Sequence, residues 1–217
     1  MRFRYCGQRC VKDGLQADGS QRYKCKHCHK RQQSRYRYNA YAKSTDSQII
    51  ALTKIGVGVR NIAKYIHIST TTVLVRIRKI ANNIIPPVIP IGHIYEVDEM
   101  WSYIKTKRQP VWIAYAMDRK TKQIAAFNIG SRSKEMLAPI LGTLNDSRAK
   151  QIYTDNLQHY KRLIPRKIHK CTYRGTNHIE RNNLTLRTHL KRLSRRTICF
   201  SRSTAMLTAV LKIYFWG

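Results

Sequence analysis

The amino-acid sequence predicts an α/β protein: a mixed sheet with flanking helices, preceded by a small metal-binding segment and an all-α unit. Three observations lead there. Four of the six cysteines fall within the first 28 residues, in two close pairs. Residues 46–83 carry apolar side chains at helical spacing, and that pattern stops at the run IIPPVIP (84–90). Beyond the prolines the texture turns to β-branched and aromatic runs with short polar connections, followed by alternating helix and strand patterns.

Charge narrows the function before any motif is read. The chain has 42 Lys and Arg against 11 Asp and Glu, a net charge of +31 and a pI near 10.4. The excess is spread along the whole length: +10 over 1–45, +5 over 46–85 and +16 over 86–217. Such a protein collects polyanions, and nucleic acid is the expected partner. A structural protein embedded in RNA is the competing reading. Apolar content of 42% suffices for a core and excludes wholesale disorder. No apolar run approaches the roughly 20 residues that cross a bilayer, so no membrane partner is expected and the location expected is cytoplasmic and nucleoid-associated.

The first segment (1–33) contains YCGQRC and RYKCKHCHK. Cys6, Cys10, Cys25 and Cys28 make two knuckles joined by VKDGLQADGSQ, which reads as a hairpin. Zinc takes four soft donors in a tetrahedron, and two such knuckles supply them. In a reducing compartment paired cysteines point to one structural Zn²⁺ rather than to disulfides. The first pair is spaced by three residues rather than two, so His27 or His29 could replace one thiol. Cys171 and Cys199 stand alone and read as small core residues rather than ligands. Residues 31–45, polar and Tyr-rich, read as a linker.

Residues 46–83 divide into three short helices. Ile49, Ile50 and Leu52 mark the first, Ile62, Ala63 and Ile66 the second, and Val73, Leu74, Ile77 and Ile80 the third. GVGV (56–59) breaks the first from the second, and Ser69 or Thr70 can cap the third. This pattern predicts a helix-turn-helix whose last helix presents Thr70, Thr71 and Thr72, then Arg76, Arg78 and Lys79, to a major groove and its flanking phosphates. A plain three-helix bundle is the alternative.

The prolines of 84–90 cannot continue a helix and mark the boundary to a third domain over 91–217. There, 93–104, 110–118 and 123–130 read as strands, 133–145 as a helix, 150–155 as a strand and 179–193 as a helix.

Acids are scarce enough to enumerate. Removing those in turns, helix starts and the cysteine segment leaves Glu96, Asp98, Glu99, Asp155 and Glu180. A carboxylate within a strand, another at a strand end and a third on an adjacent helix can converge, and such a cluster is repulsive without divalent cations. Two ions about 4 Å apart are the usual means of activating water or a 3′-hydroxyl for attack at phosphorus. Alternation puts Glu96 on the face of Asp98, as the next candidate ligand, and turns Glu99 away. Glu180 shares a helix face with Leu184, Arg187 and Lys191. The bland reading makes it a surface ion-pair partner of Arg181 or Arg187, worth about 0.5 kcal/mol.

At these residues the chain resembles transposases of the insertion-sequence-one family, a DDE-type group with an RNase H-like catalytic fold. QRYKCKHCHK resembles the family's zinc-binding segment, and IIALTKIGVGVRNIAKYIHISTTTVLVRIRK its helix-turn-helix. YEVDEMWSYI, IYTDN and HIERNNLTLRTHLKRLSRRTICFSRS resemble its three catalytic blocks. The resemblance implies that Asp98, Asp155 and Glu180 are catalytic and bind Mg²⁺ (or Mn²⁺). It implies that Arg187 contacts DNA on the same helix face; the helix-face pattern itself adds Lys191, one turn on, as a phosphate-binding base. It further implies terminal inverted repeats and target DNA as partners, with at least a dimer in the active complex. A DNA-binding repressor with an inactive C-terminal domain is the alternative; intact Asp98, Asp155 and Glu180 argue against it.

Overall fold

A computed structural model describes residues 2–34 and 38–217 of the chain. Of the expected linker, residues 35–37 therefore lie outside the described ones. The chain packs as two units, 1–45 and 46–217.

In the first unit β1 (Cys10–Leu15) and β2 (Gln21–Cys25) form the expected antiparallel hairpin, with Cys10 opposite Cys25. Asp18 accepts from the Ser20 amide at 3.0 Å and Gly19 takes φ +76°, a backbone region in which glycine meets no Cβ penalty. The linker reading fails at its start, because Arg31–Gln33 adds a third strand, β3, beside β2. The cause is Gln32. Its buried amide donates to the Arg2 carbonyl at 3.0 Å and accepts from the Arg4 amide at 3.1 Å, closing the N-terminus onto the sheet. Composition alone does not distinguish such a glutamine from a solvated one.

The second unit opens with three helices, α1 (Thr45–Lys54), α2 (Val59–Tyr65) and α3 (Thr70–Asn83). Ser69 caps α3, accepting from the Thr72 amide at 3.0 Å. Val73, Ile77, Ile80 and Ala81 form the buried stripe of α3, and the helix packs against α7 (Thr204–Trp216) at the end of the chain. Gly56, between α1 and α2 with φ +80°, lies so close to the C-terminal end of α6 (Asn177–His189) that a Cβ would stand 1.9 Å from the His189 carbonyl oxygen. The three helices thus belong to the same compact unit as the sheet.

That sheet has five strands: β4 (Ile94–Tyr103), β5 (Pro110–Asp118), β6 (Ile124–Gly130), β7 (Gln151–Tyr153) and β8 (His169–Lys170). Their order is β6-β5-β4-β7-β8, antiparallel through β4, β5 and β6 and parallel from β4 to β8. It is the mixed sheet with helices expected from the sequence. Along β4 the pleat sends Tyr95 and Val97 to one face. There they meet Leu137, Ile140, Leu141 and Leu144 of α4 (Lys134–Asp146) and Tyr160 of α5 (Gln158–Leu163) in the main core. Glu96 and Asp98 face the other side, where α6 crosses β4.

The sequence pattern left α5, β8 and α7 unread. For α7 the reason is physical. Met206, Leu207, Ala209, Val210, Leu211 and Ile213 are all buried because α3 covers one side and β6 another, and a helix apolar all round has no stripe to detect. Among the described residues no helix is long and apolar enough to cross a membrane.

Candidate active site

The central strand supplies the first carboxylate. Asp98 pairs in register with Tyr115 of β5, and both face α6. Asn183 of α6 donates to Asp98 Oδ2 at 2.7 Å. Its own amide oxygen lies 2.7 Å from the Tyr115 hydroxyl, which is also 3.1 Å from the Ile179 carbonyl and accepts from Asn182 at 3.2 Å. Burial pushes the Tyr115 hydroxyl well up, so it stays protonated and donates to this network. Burial also raises the Asp98 carboxyl to about 6, with the charges of Asp155 and Glu180 adding to the effect and the Asn183 amide opposing it. A carboxyl of this kind gains from a divalent cation beside it.

Asp155 follows β7 by two residues. Its Oδ1 accepts from the Leu157 amide at 3.0 Å, an Asx turn that starts the loop, and its carbonyl accepts from Thr154 Oγ1 at 2.7 Å. Parallel pairing of β7 with the first residues of β4 brings the chain just past β7 beside the middle of β4, so that carboxylate oxygens of Asp98, Glu99 and Asp155 all lie within 4.8 Å of one another. Glu180 stands in the first turn of α6, exposed, and accepts from Thr176 Oγ1 at 2.7 Å. Its carboxylate is outside that 4.8 Å group but close enough to act on Asp98 electrostatically.

Two expectations about neighbouring acids are corrected. Glu96 shares the face of Asp98 but is not available to a cation. It is fully buried, accepts from the Ile179 amide at 2.9 Å and contacts His178 Nδ1 at 2.6 Å and Arg119 at 3.1 Å. It caps the start of α6 from a neighbouring strand, satisfying a helix N–H that the helix itself leaves open. Glu99, expected to point away, does lie on the other face of β4 but still reaches the cluster, because β7 stops opposite Glu96 and the chain beyond it brings Asp155 alongside the middle of β4. Arg132, after β6, stands 3.5 Å from Glu99 and 4.0 Å from Asp155, its guanidinium stacked 4.4 Å over Trp112.

The residues expected to face DNA divide. On α3, Thr70, Thr71, Arg78 and Lys79 are exposed. Thr72 lies 2.8 Å from the Ser69 hydroxyl, and Arg76 pairs with Asp46 of α1 at 3.2 Å, so these two hold the helices rather than reach outward. Arg187 is likewise committed within the chain, donating to the Leu193 carbonyl at 2.8 Å and the Trp101 carbonyl at 3.0 Å. It ties α6 to the end of β4, while Lys191 is exposed beyond it. Asn183, Tyr115 and Arg132 were not singled out in the sequence. Only Asn183 carried a signal, three residues after Glu180 and so on a neighbouring helix face.

In the first unit Cys6 Sγ lies 3.5 Å from both Cys25 Sγ and Cys28 Sγ. Zn–S bonds of about 2.3 Å place tetrahedral sulfurs about 3.8 Å apart, so these three thiols fit zinc. Backbone hydrogen bonding from Cys28 pulls the Cys25 thiol down to about 7, favouring the thiolate that binds metal. Cys10 is outside this trio. Buried beside Phe3, its sulfur receives the Gln32 amide at 3.7 Å. His27 and His29 are exposed and are not part of the group either.

Comparison with known proteins follows the same outline. Residues 93–216 match the family profile described as IS1 transposase. The chain is 39% identical over 118 residues to the insertion element iso-IS1n protein InsB of Shigella dysenteriae, covering 54% of this chain and 90% of that protein. It is 34% identical over 119 residues to the insertion element IS1 2 protein InsB of Escherichia coli strain K12, covering 55% of this chain and 71% of that one. Among solved structures, it is similar to a chain in the simian T-cell lymphotropic virus intasome in complex with PP2A regulatory subunit B56 gamma. That similarity has a TM-score of 0.40 at 16% identity, over 75% of this chain and 66% of the other.

Proposed function

We propose, from the premise that the chain belongs to the IS1 transposase family, that it cleaves DNA at the ends of an insertion sequence and transfers the strands to a target, using Asp98, Asp155 and Glu180. One observation carries this reading: Asp155, just past the end of β7, meets Asp98 in the middle of β4, and the helix that carries Glu180 in its first turn is bonded to Asp98 through Asn183. Two Mg²⁺ or Mn²⁺ ions held by these carboxylates would activate the attacking oxygen and neutralise the leaving one. The chain's own residues do the positioning. Asn183 fixes the Asp98 carboxylate, the Leu157 amide fixes Asp155 and Thr176 fixes Glu180.

Recognition of the terminal inverted repeats falls to the other segments. Residues 46–83 act as a helix-turn-helix, in which Thr71 and Arg78 of α3 stand at i and i+7 with Thr70 and Lys79 flanking. All four are exposed, a composition that suits groove and phosphate contact. Residues 1–33 hold one structural zinc on Cys6, Cys25 and Cys28, and 91–217 form the RNase H-like catalytic domain. Lys191 adds a phosphate contact beyond the catalytic helix. Joining two DNA ends to one target requires at least a dimer.

The test is Mg²⁺-dependent strand transfer on DNA carrying the repeats. Asp98→Asn, Asp155→Asn and Glu180→Gln should each abolish it while DNA binding persists. Full activity in any one of them would remove that residue from the mechanism, and binding without strand transfer by the parent chain would favour a repressor.

A further inference from the structure

Glu99 is the least explained charged group in the second unit. Its side chain is completely buried, and neither carboxylate oxygen has a hydrogen-bond partner. The Tyr160 hydroxyl stands beside it as a donor that favours the carboxylate, but its geometry falls short of a full hydrogen bond and its oxygen has no other partner. A buried carboxylate with only imperfectly placed donors is costly to keep ionised, so a better partner is called for. One of its oxygens lies within 4.8 Å of oxygens of both Asp98 and Asp155.

The cation that does approach is poorly matched. Arg132 reaches Glu99 at 3.5 Å and Asp155 at 4.0 Å, too long for the charge-assisted bonds of about 2.8 Å that a guanidinium makes to a carboxylate it is built to hold. Its side chain is 40% exposed and stacks on Trp112. It therefore has a resting place that does not depend on the acids. An octahedral Mg²⁺ with bonds of about 2.1 Å needs ligand oxygens about 3 Å apart. Small side-chain movements bring the three carboxylates to that spacing, and a bound ion would satisfy the oxygens that Arg132 leaves open.

We infer that Glu99 is a direct ligand of the cation site it forms with Asp98 and Asp155, and that Arg132 is the internal counter-ion which a divalent ion displaces. The inference rests on the metal-dependent reading proposed above and extends it to two residues outside the Asp98–Asp155–Glu180 set. The site would be loaded from the exposed side. Arg132 would swing away along the Trp112 ring, leaving its guanidinium available to a DNA phosphate.

The experiment is Mn²⁺ binding to the full chain without DNA, read from the electron paramagnetic resonance of free Mn²⁺. Glu99→Gln should weaken binding about tenfold or more, and Arg132→Gln should tighten it severalfold. Glu135→Gln, an exposed acid at the start of α4, should change nothing. Unchanged affinity in Glu99→Gln, or weaker affinity in Arg132→Gln, would overturn the inference. Should Glu99→Gln not fold, Arg132→Gln decides alone, since it reads the same site from the surface. The two levels separate cleanly. If the parent chain binds no Mn²⁺, the metal-dependent reading itself falls. If Asp155→Asn loses binding while Glu99→Gln and Arg132→Gln match the parent, only this inference falls.

Discussion

Asn183 donates a 2.7 Å hydrogen bond to Oδ2 of Asp98, joining the third residue after Glu180 to the middle of the central strand. The bond fixes the carboxylate's rotamer and the rotation of α6 at once. Asn183→Ala should therefore lower strand transfer by about 10- to 100-fold, the usual effect of removing a residue that orients a metal ligand, with little change in DNA binding. Asn183→Asp has the same shape but replaces a donor with a like charge, and should move the pH profile upward. Activity at the parent level in both would make the bond incidental.

Asp98 also ties stability to pH. A carboxyl raised from 3.8 to about 6 by burial and neighbouring acids is destabilising once ionised in the folded protein. The cost is absent below about pH 4, grows through pH 6 and is complete above it, because the folded state holds the proton that the unfolded state has lost. Without metal, Asp98→Asn should be more stable than the parent by about 2–3 kcal/mol at pH 8, and the gap should close towards pH 4. Urea denaturation in a chelator at several pH values measures it. A gap that does not vary with pH would contradict the assignment.

Zinc content should follow the thiol geometry. Replacing Cys6, Cys25 or Cys28 with Ser leaves two clustered thiols and should empty the site. Cys10→Ser leaves all three and should lose only part of the metal. Elemental analysis of the purified variants checks this, and equal loss in all four would place Cys10 among the ligands.

Gly56→Ala tests the seam between the helical segment and α6. The added Cβ would meet the His189 carbonyl at 1.9 Å from a backbone at φ +80°, which should cost at least about 2 kcal/mol. In a chain of this size that corresponds to a fall in Tm of roughly 4–8 °C. A thermal midpoint within a degree of the parent would show that the seam yields.

DNA affinity should fall steeply with salt. With +31 charges spread along the chain, contact with six or more phosphates implies a loss of roughly 10³-fold between 50 and 200 mM salt. A shallow dependence, measured by fluorescence anisotropy, would confine contact to a few phosphates.

What the sequence made legible follows from how local each signal is. The strands 94–103 and 110–118 announce themselves by composition, while scarcity of acids leaves Asp98 and Asp155 among five candidates that only the family resemblance narrows. Alternation puts Glu99 on the face opposite Asp98, but it cannot show that β7 stops opposite Glu96 and that the chain beyond it brings Asp155 within reach of both. Arg187 looked like a phosphate contact on a helical wheel, but the carbonyls it holds belong to residues 101 and 193, which no local pattern brings near. Gln32 likewise gained its place from the chain's first residues. Long-range hydrogen bonds decided each of these cases, and such bonds have no periodicity to read.

The packing of α3 on α7, with Gly56 against His189, has a consequence for the DNA. A recognition helix on a loose tether could find its repeat at any distance from the bond to be cut. On the reading proposed here, a recognition helix packed on α7, which in turn packs on β6, measures that distance in whole base pairs. On that reading, moving the repeat by half a helical turn, about five base pairs, would present the scissile phosphate on the wrong side of the duplex. The protein would then be a gauge for its own cleavage site.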